Sequence, residues 1–71
     1  MYYIQCIMAG KKVPFCQLHM FWDGWSNIPF EARFLCGHPT SRRPLEPLRA
    51  YLIANGIKAK ILHTYCPTMD D

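Results

Sequence analysis

One stretch, residues 43–65, constrains the fold more than any other part of the chain. Thr40 or Ser41, just before this stretch, is expected to cap a helix. The stretch begins with prolines suited to a helix start, continues as an amphipathic helix and stops at Asn55-Gly56, a pair that favours a left-handed C-terminal cap. Beyond the glycine, residues 57–65 alternate between apolar and polar, which predicts a half-buried strand. A helix followed by such a strand needs a sheet to cover, so we expect strands in the first half of the chain.

The first half of the sequence predicts three strands. Residues 2–8 are largely apolar on both alternating faces, which is typical of a central strand. Residues 13–22 and 28–36 also alternate, and turn signals separate the three runs. The order β-β-β-α-β predicts an α+β domain with a four-stranded, mostly antiparallel sheet in the order 4-1-2-3, one helix on one face, and strand four parallel to strand one or strand three.

Size and composition favour one small binding domain. The 71 residues form a single domain, 1–71, in which we expect 67–71 to be a frayed tail. Charged residues make up 18%, below the ~25% usual in soluble domains, so we expect apolar surface to be covered by a partner or a second copy. No apolar run reaches the ~18 residues of a membrane span and no secretory leader is evident. We therefore expect a cytoplasmic protein with reduced cysteines.

The leading functional hypothesis is a non-enzymatic protein-binding module. The alternation predicts an aromatic sheet face opposite the helix, and the outer side of the helix is a nearly uncharged ridge. Such a domain would act as an inhibitor or adaptor, of a type used by viruses and mobile elements, by docking on a larger protein complex. The residues predicted to contact the partner are Tyr3, Phe15, His19, Phe21, Arg33 and Ile53.

A second hypothesis is nucleic-acid binding through the basic half of the chain. Residues 40–66 carry five Lys or Arg side chains against one Glu, a net charge of +4. That charge would attract a phosphate backbone or the acidic groove of a protein. The residues predicted to bind phosphate or an acidic partner are Arg42, Arg43, Arg49, Lys58 and Lys60.

A third hypothesis is a zinc-binding domain. In two of the three Cys–His pairs that could supply ligands, the partners are three residues apart in or at the end of a predicted strand, so their side chains would point to opposite faces. The chain also has no Cys-x-x-Cys motif, so cysteines buried in the core are a simpler interpretation than zinc ligands. The three pairs that carry possible ligands are Cys16-x-x-His19, Cys36-x-His38 and His63-x-x-Cys66.

Catalysis is disfavoured by the sequence. The spacing from Cys36 to Arg42 matches that of phosphate-binding loops between a strand and a helix. However, Pro39 removes one amide from such a loop, and a chain of this length leaves little for substrate walls. We therefore expect no enzyme and no cofactor.

Overall fold

The computed structural model describes residues 1–33 and 39–66, which form a three-stranded sheet with helical segments packed on one face. The strands are β1 (Tyr3–Met8), β2 (Lys11–Pro14) and β3 (Lys58–Leu62). Between β2 and β3 lie two 3-10 helices (Phe15–Met20 and Asp23–Asn27), one helical turn, α1 (Phe30–Arg33), and the main helix, α2 (Leu45–Ala54). The α+β class predicted from the sequence is confirmed. The predicted tail, 67–71, lies outside the described residues.

The sheet has the order β2-β1-β3, and both pairs are antiparallel. The central position of β1 is the one that its two apolar faces predict. A two-residue turn joins β1 to β2, because Met8 pairs with Lys11. Both turn residues have positive φ, 53° at Ala9 and 79° at Gly10, as the mirror-image turns of tight hairpins require.

The second predicted strand, 13–22, is wrong beyond Pro14. Proline has no amide hydrogen to give to the ladder, and β2 ends there. The chain continues as a 3-10 helix, in which Phe15 and Leu18, three residues apart, are both buried. A run that is apolar at most positions fits a helical period as well as an alternating one, so alternation alone could not distinguish them.

The third predicted strand, 28–36, is not formed over residues 28–33, and residues 34–36 lie outside the described part of the chain. Phe30–Arg33 is a helical turn instead. The Arg33 guanidinium donates hydrogen bonds back to two carbonyl oxygens, that of Ser26 at 2.7 Å and that of Ile28 at 3.1 Å. These bonds hold the turn against the segment before it, in a bent rather than an extended conformation.

The last strand pairs with β1, as predicted, but it runs antiparallel to β1 rather than parallel. The parallel arrangement assumed that α2 connects from a third strand running in the direction of β1. In the described residues the helical connection leaves from β2, and a crossover of this kind returns the chain parallel to the strand that it left. Since β2 is antiparallel to β1, β3 is antiparallel to β1 as well.

Helix α2 presents to the sheet the face that its periodicity predicts. Leu45, Leu48 and Leu52 are buried, and Tyr51 packs against the same core. The residues of the buried cluster are Ile4, Cys6, Phe15, Leu18, Ile28, Leu45, Leu48, Leu52 and Ile57.

No helix in residues 1–33 and 39–66 has the length and apolar character needed to cross a membrane.

The two ends of α2 differ in how far the sequence predicts them. The predicted capping by Thr40 or Ser41 is wrong, because no side chain caps the helix and the Ser41 hydroxyl accepts a hydrogen bond from the Arg43 amide (3.2 Å). The predicted stop at Asn55-Gly56 is confirmed. Gly56 has φ 83°, and the amides of residues 56 and 57 donate to the carbonyls of residues 53 and 52, each at 3.0 Å. This is the hydrogen-bond pattern of a Schellman cap.

Candidate functional site

The predicted aromatic sheet face is wrong, because its members lie on different elements. Tyr3 and Phe15 are 5% and 3% exposed, and the Phe15 ring packs on Trp25 with centroids 4.9 Å apart. His19 is exposed on the first 3-10 helix, and its ring lies 5.7 Å from that of Trp25. Phe21 is exposed, but it lies outside the strands. Two of these four rings therefore belong to the buried part of the protein.

The other two predicted contact residues lie in contrasting environments. Arg33 is half-buried, and its guanidinium is bound to backbone carbonyls of its own chain. Ile53 is 47% exposed on α2 and lines a shallow depression with Gly56 and Ile57. Of the pair, only Ile53 offers its side chain to a partner.

The predicted basic set is divided between the two layers of the fold. Arg42 and Arg49 both reach the Glu46 carboxylate, at 3.2 and 4.0 Å, on the exposed surface at the start of α2. Exposed pairs of this kind contribute about 0.2–1 kcal/mol each, and the shared carboxylate offsets part of the arginine charge. Lys58 and Lys60 lie on β3. The arginines and lysines predicted to act together are therefore on separate surfaces.

The sheet face opposite α2 carries three exposed lysines. Strand pairing places Lys12 and Lys58 on either side of Ile7, and Lys60 beside Gln5. Ile7 and Gln5 are half-buried, while the three lysines are exposed around the same shallow depression. We call Gln5, Ile7, Lys12, Lys58 and Lys60 the lysine face.

The charges of the lysine face add to one another. Lys58 and Lys60 are two residues apart on one strand, so their backbones are about 6.6–6.8 Å apart, and Lys12 and Lys58 flank the central strand at roughly 10 Å. No residue that β1, β2 or β3 places on this face is acidic. Within the described residues, none of the three lysines forms an ion pair. The face is therefore a compact positive surface.

Lys12 is the member that sequence reasoning missed, since the predicted strands 2–8 and 13–22 leave it in the turn between them. The hairpin register could have found it. If Ala9 and Gly10 alone make the turn, Met8 pairs with Lys11 and Ile7 with Lys12. Side chains of paired residues point to the same face, so Lys12 joins Ile7 on the face opposite α2.

A second cluster joins two cysteines that are 50 positions apart in the sequence. The Sγ atoms of Cys16 and Cys66 lie 3.4 Å apart. Cys16 is half-buried on the first 3-10 helix, and Cys66 follows β3 and is 2% exposed. The pKa of the nearby Tyr3 phenol is raised, chiefly because the phenol is buried. The hydrogen bond from Gln5 (3.5 Å) opposes this rise, and negative charge on Cys66 and Cys16 adds to it.

The thiol pair contains one cysteine from each of two predicted zinc pairs. Cys16 and His19 occupy a 3-10 helix, where residues three apart lie on the same side, so the objection based on a strand does not hold. His63, by contrast, stacks on the Tyr2 ring at 4.3 Å between centroids. Among the described residues, no three potential ligands come together.

The remaining predicted ligands, Cys36 and His38, lie outside the described residues. The phosphatase-like spacing from Cys36 to Arg42 begins outside them too. The zinc hypothesis therefore stays a prediction from the sequence.

Comparison of the chain with protein-family models, curated proteins and solved structures finds no match.

Proposed function

We propose that this chain is a non-enzymatic nucleic-acid-binding module that holds a phosphate backbone on its lysine face. The observation that carries the proposal is the convergence of Lys12, Lys58 and Lys60 on the sheet face opposite α2, with no acidic residue from the strands beside them. The proposal keeps Lys58 and Lys60 from the predicted basic set and adds Lys12. It leaves the arginines, two of which share Glu46, outside the binding surface.

The residue type favours phosphate over a protein surface as the partner. Cores of protein–protein interfaces are depleted in lysine and enriched in tyrosine, tryptophan and arginine. Interfaces with nucleic acid are much more positive. A lysine ammonium binds phosphate oxygens as a point charge and needs no fixed direction of approach.

The shape of the lysine face favours a single strand. The face is a shallow depression whose outer strands are roughly 10 Å apart, and residues 1–33 and 39–66 give it no projecting helix or ribbon to enter a duplex groove. The ring that β1 contributes on this side, Tyr3, is buried and so is not available for base stacking. Binding should therefore be directed to the backbone and show weak sequence preference.

Lys11 and Lys12 provide a matched test, because they are consecutive, both exposed and on opposite sides of β2. Lys11→Glu and Lys12→Glu change the net charge equally. Affinity for a fluorescently labelled single-stranded 12-mer is measured by anisotropy at low salt. We expect Lys12→Glu to weaken binding by about tenfold, as loss of one or two phosphate contacts would, and Lys11→Glu to have little effect. An equal loss in both variants would mean that net charge, and not the lysine face, governs binding.

Docking on another protein is a second candidate function, and two adjacent exposed apolar side chains favour it. Met20 and Phe21 are 61% and 48% exposed around the end of the first 3-10 helix. Apolar surface of this kind is a common site of protein contact. If it mediates self-association, Phe21→Asp should abolish dimers measured by light scattering, whereas Lys12→Glu should leave them intact. If the protein is a monomer at every concentration tested, the surface formed by Met20 and Phe21 does not mediate self-association.

A further inference from the structure

We propose that Cys16 and Cys66 are a redox-active thiol pair that closes to an intramolecular disulfide by exchange with a low-molecular-weight disulfide such as oxidised glutathione. The proposal is independent of the lysine face. It rests on the 3.4 Å between the two sulfur atoms, which are already in contact although 50 residues separate them in the chain. A disulfide bond is about 2.05 Å long, so a movement of roughly 1.4 Å brings the sulfurs to bonding distance.

The two thiols differ in access, and this difference assigns their roles. Cys16 is half-buried, so a small disulfide can reach it. Cys66 is 2% exposed, so the reagent reaches Cys16 first. Cys16 is therefore the attacking thiol and Cys66 the resolving one.

The exchange is balanced in two steps. The Cys16 thiolate attacks one sulfur of oxidised glutathione, forming a mixed disulfide and releasing one glutathione thiolate. The Cys66 thiolate then attacks the Sγ of Cys16, and the second glutathione thiolate leaves. The two cysteines lose two electrons, oxidised glutathione gains them, and the two departing thiolates take up the protons released by the cysteines.

Cys6 is a built-in control for thiol reactivity. It is fully buried, and burial raises the pKa of its thiol to about 11, so the thiol stays protonated near pH 8. A protonated, inaccessible thiol is a poor nucleophile. We expect Cys6 to remain unmodified under conditions that oxidise Cys16 and Cys66.

Closure would tie the first 3-10 helix to the segment that follows β3. The bond would close a loop between two cysteines that are 50 positions apart in the chain of 71 residues, and such a constraint removes freedom chiefly from the unfolded state. For a domain of this size we expect the midpoint of thermal unfolding to rise by about 10 °C or more on oxidation and to return on addition of dithiothreitol.

Trypsin separates the four cysteines onto different peptides, 1–11, 13–33, 34–42 and 61–71, so the product can be identified directly. Folded protein is incubated with oxidised glutathione at pH 8, its remaining thiols are blocked with N-ethylmaleimide to prevent exchange, and it is digested with trypsin near neutral pH. We expect mass spectrometry to find peptide 13–33 linked to peptide 61–71. A dominant link involving peptide 1–11 or 34–42, or no intramolecular link, would overturn the proposal. Protection of both thiols by a zinc ion retained in native mass spectra would overturn it too.

Two variants test the order of attack. Cys66→Ser should stop at a glutathione adduct on Cys16, because the resolving thiol is missing. Cys16→Ser should leave Cys66 unmodified, because the reagent cannot reach it. Rapid glutathionylation of Cys66 in folded Cys16→Ser protein would contradict the assigned roles. The peptide map of the unaltered chain decides the pairing even if either variant fails to fold.

Discussion

The backbone amide of Ile57 donates to the carbonyl of Leu52 at 3.0 Å, and this bond links the end of α2 to the charge pattern of the sheet. It belongs to the cap in which Gly56 takes φ 83°. Ile57 is buried in the core, and successive residues of a strand point to opposite faces. Lys58 and Lys60 therefore lie on the face opposite α2. The helix cap therefore determines the position of two of the three lysines.

Gly56→Ala tests this cap. A left-handed backbone costs a residue with a Cβ about 1–2 kcal/mol, and we expect the free energy of unfolding in urea to fall by about that amount. A Cβ at Gly56 would meet no atom within 4 Å, so the loss would come from the backbone alone. Gly56→Asn is the control, since asparagine tolerates this conformation better and should lose less. Equal stability of the glycine and alanine proteins would contradict the cap.

Leu52→Ala tests the packing of α2 on the sheet. Leu52 is 0% exposed and Ile53 is 47% exposed, although they are neighbours on the same helix. Removing a fully buried leucine side chain leaves a cavity and typically costs about 2–5 kcal/mol, which urea unfolding should detect. Ile53→Ala is the matched control and should change stability by about 0.5 kcal/mol or less. Similar losses at both positions would show that the helix presents a different face to the core.

Strand β1, helix α2 and strand β3 follow their sequence patterns, whereas residues 15–33 do not, for a physical reason. In α2 and β3 the spacing of the leucines, the glycine stop and the alternating lysines each indicate the same structure. After Pro14 the residues are apolar at most positions, so Phe15 and Leu18 serve a 3-10 helix as well as they would serve a strand. Short apolar runs of this kind acquire their conformation from the core that they enter.

The candidate sites show the same division. Lys58 and Lys60 belong to the predicted basic set of five residues, and the alternation along the last strand, which is visible in the sequence, places both lysines on one face. Lys12 joins them through strand register, which depends on the exact length of a turn. The meeting of Cys16 and Cys66 depends on tertiary contact between segments 50 residues apart, and no local pattern encodes it.

Cys6 should make stability depend on pH in the alkaline range. Burial raises the pKa of its thiol from 9.0 to about 11, so the unfolded chain releases this proton at a lower pH than the folded chain does. Stability from the protonated thiol is thus fully present below about pH 9 and is lost as the pH rises from 9 through about 11. Urea unfolding between pH 8 and 11 measures the fall, and Cys6→Ala should show a shallower one. An identical pH dependence in both proteins would mean that Cys6 ionises equally in the folded and unfolded states.

The salt dependence of binding to a single-stranded oligonucleotide tests the role of the lysine face most directly. Three lysine–phosphate contacts on a single strand predict a slope of about −2 for the logarithm of affinity against the logarithm of salt concentration. Replacing Lys12, Lys58 and Lys60 with glutamine should bring the slope close to zero, while the same change at Arg42, Arg43 and Arg49 should leave it near −2. A slope that survives loss of the three lysines, or disappears with the three arginines, would contradict binding on the lysine face.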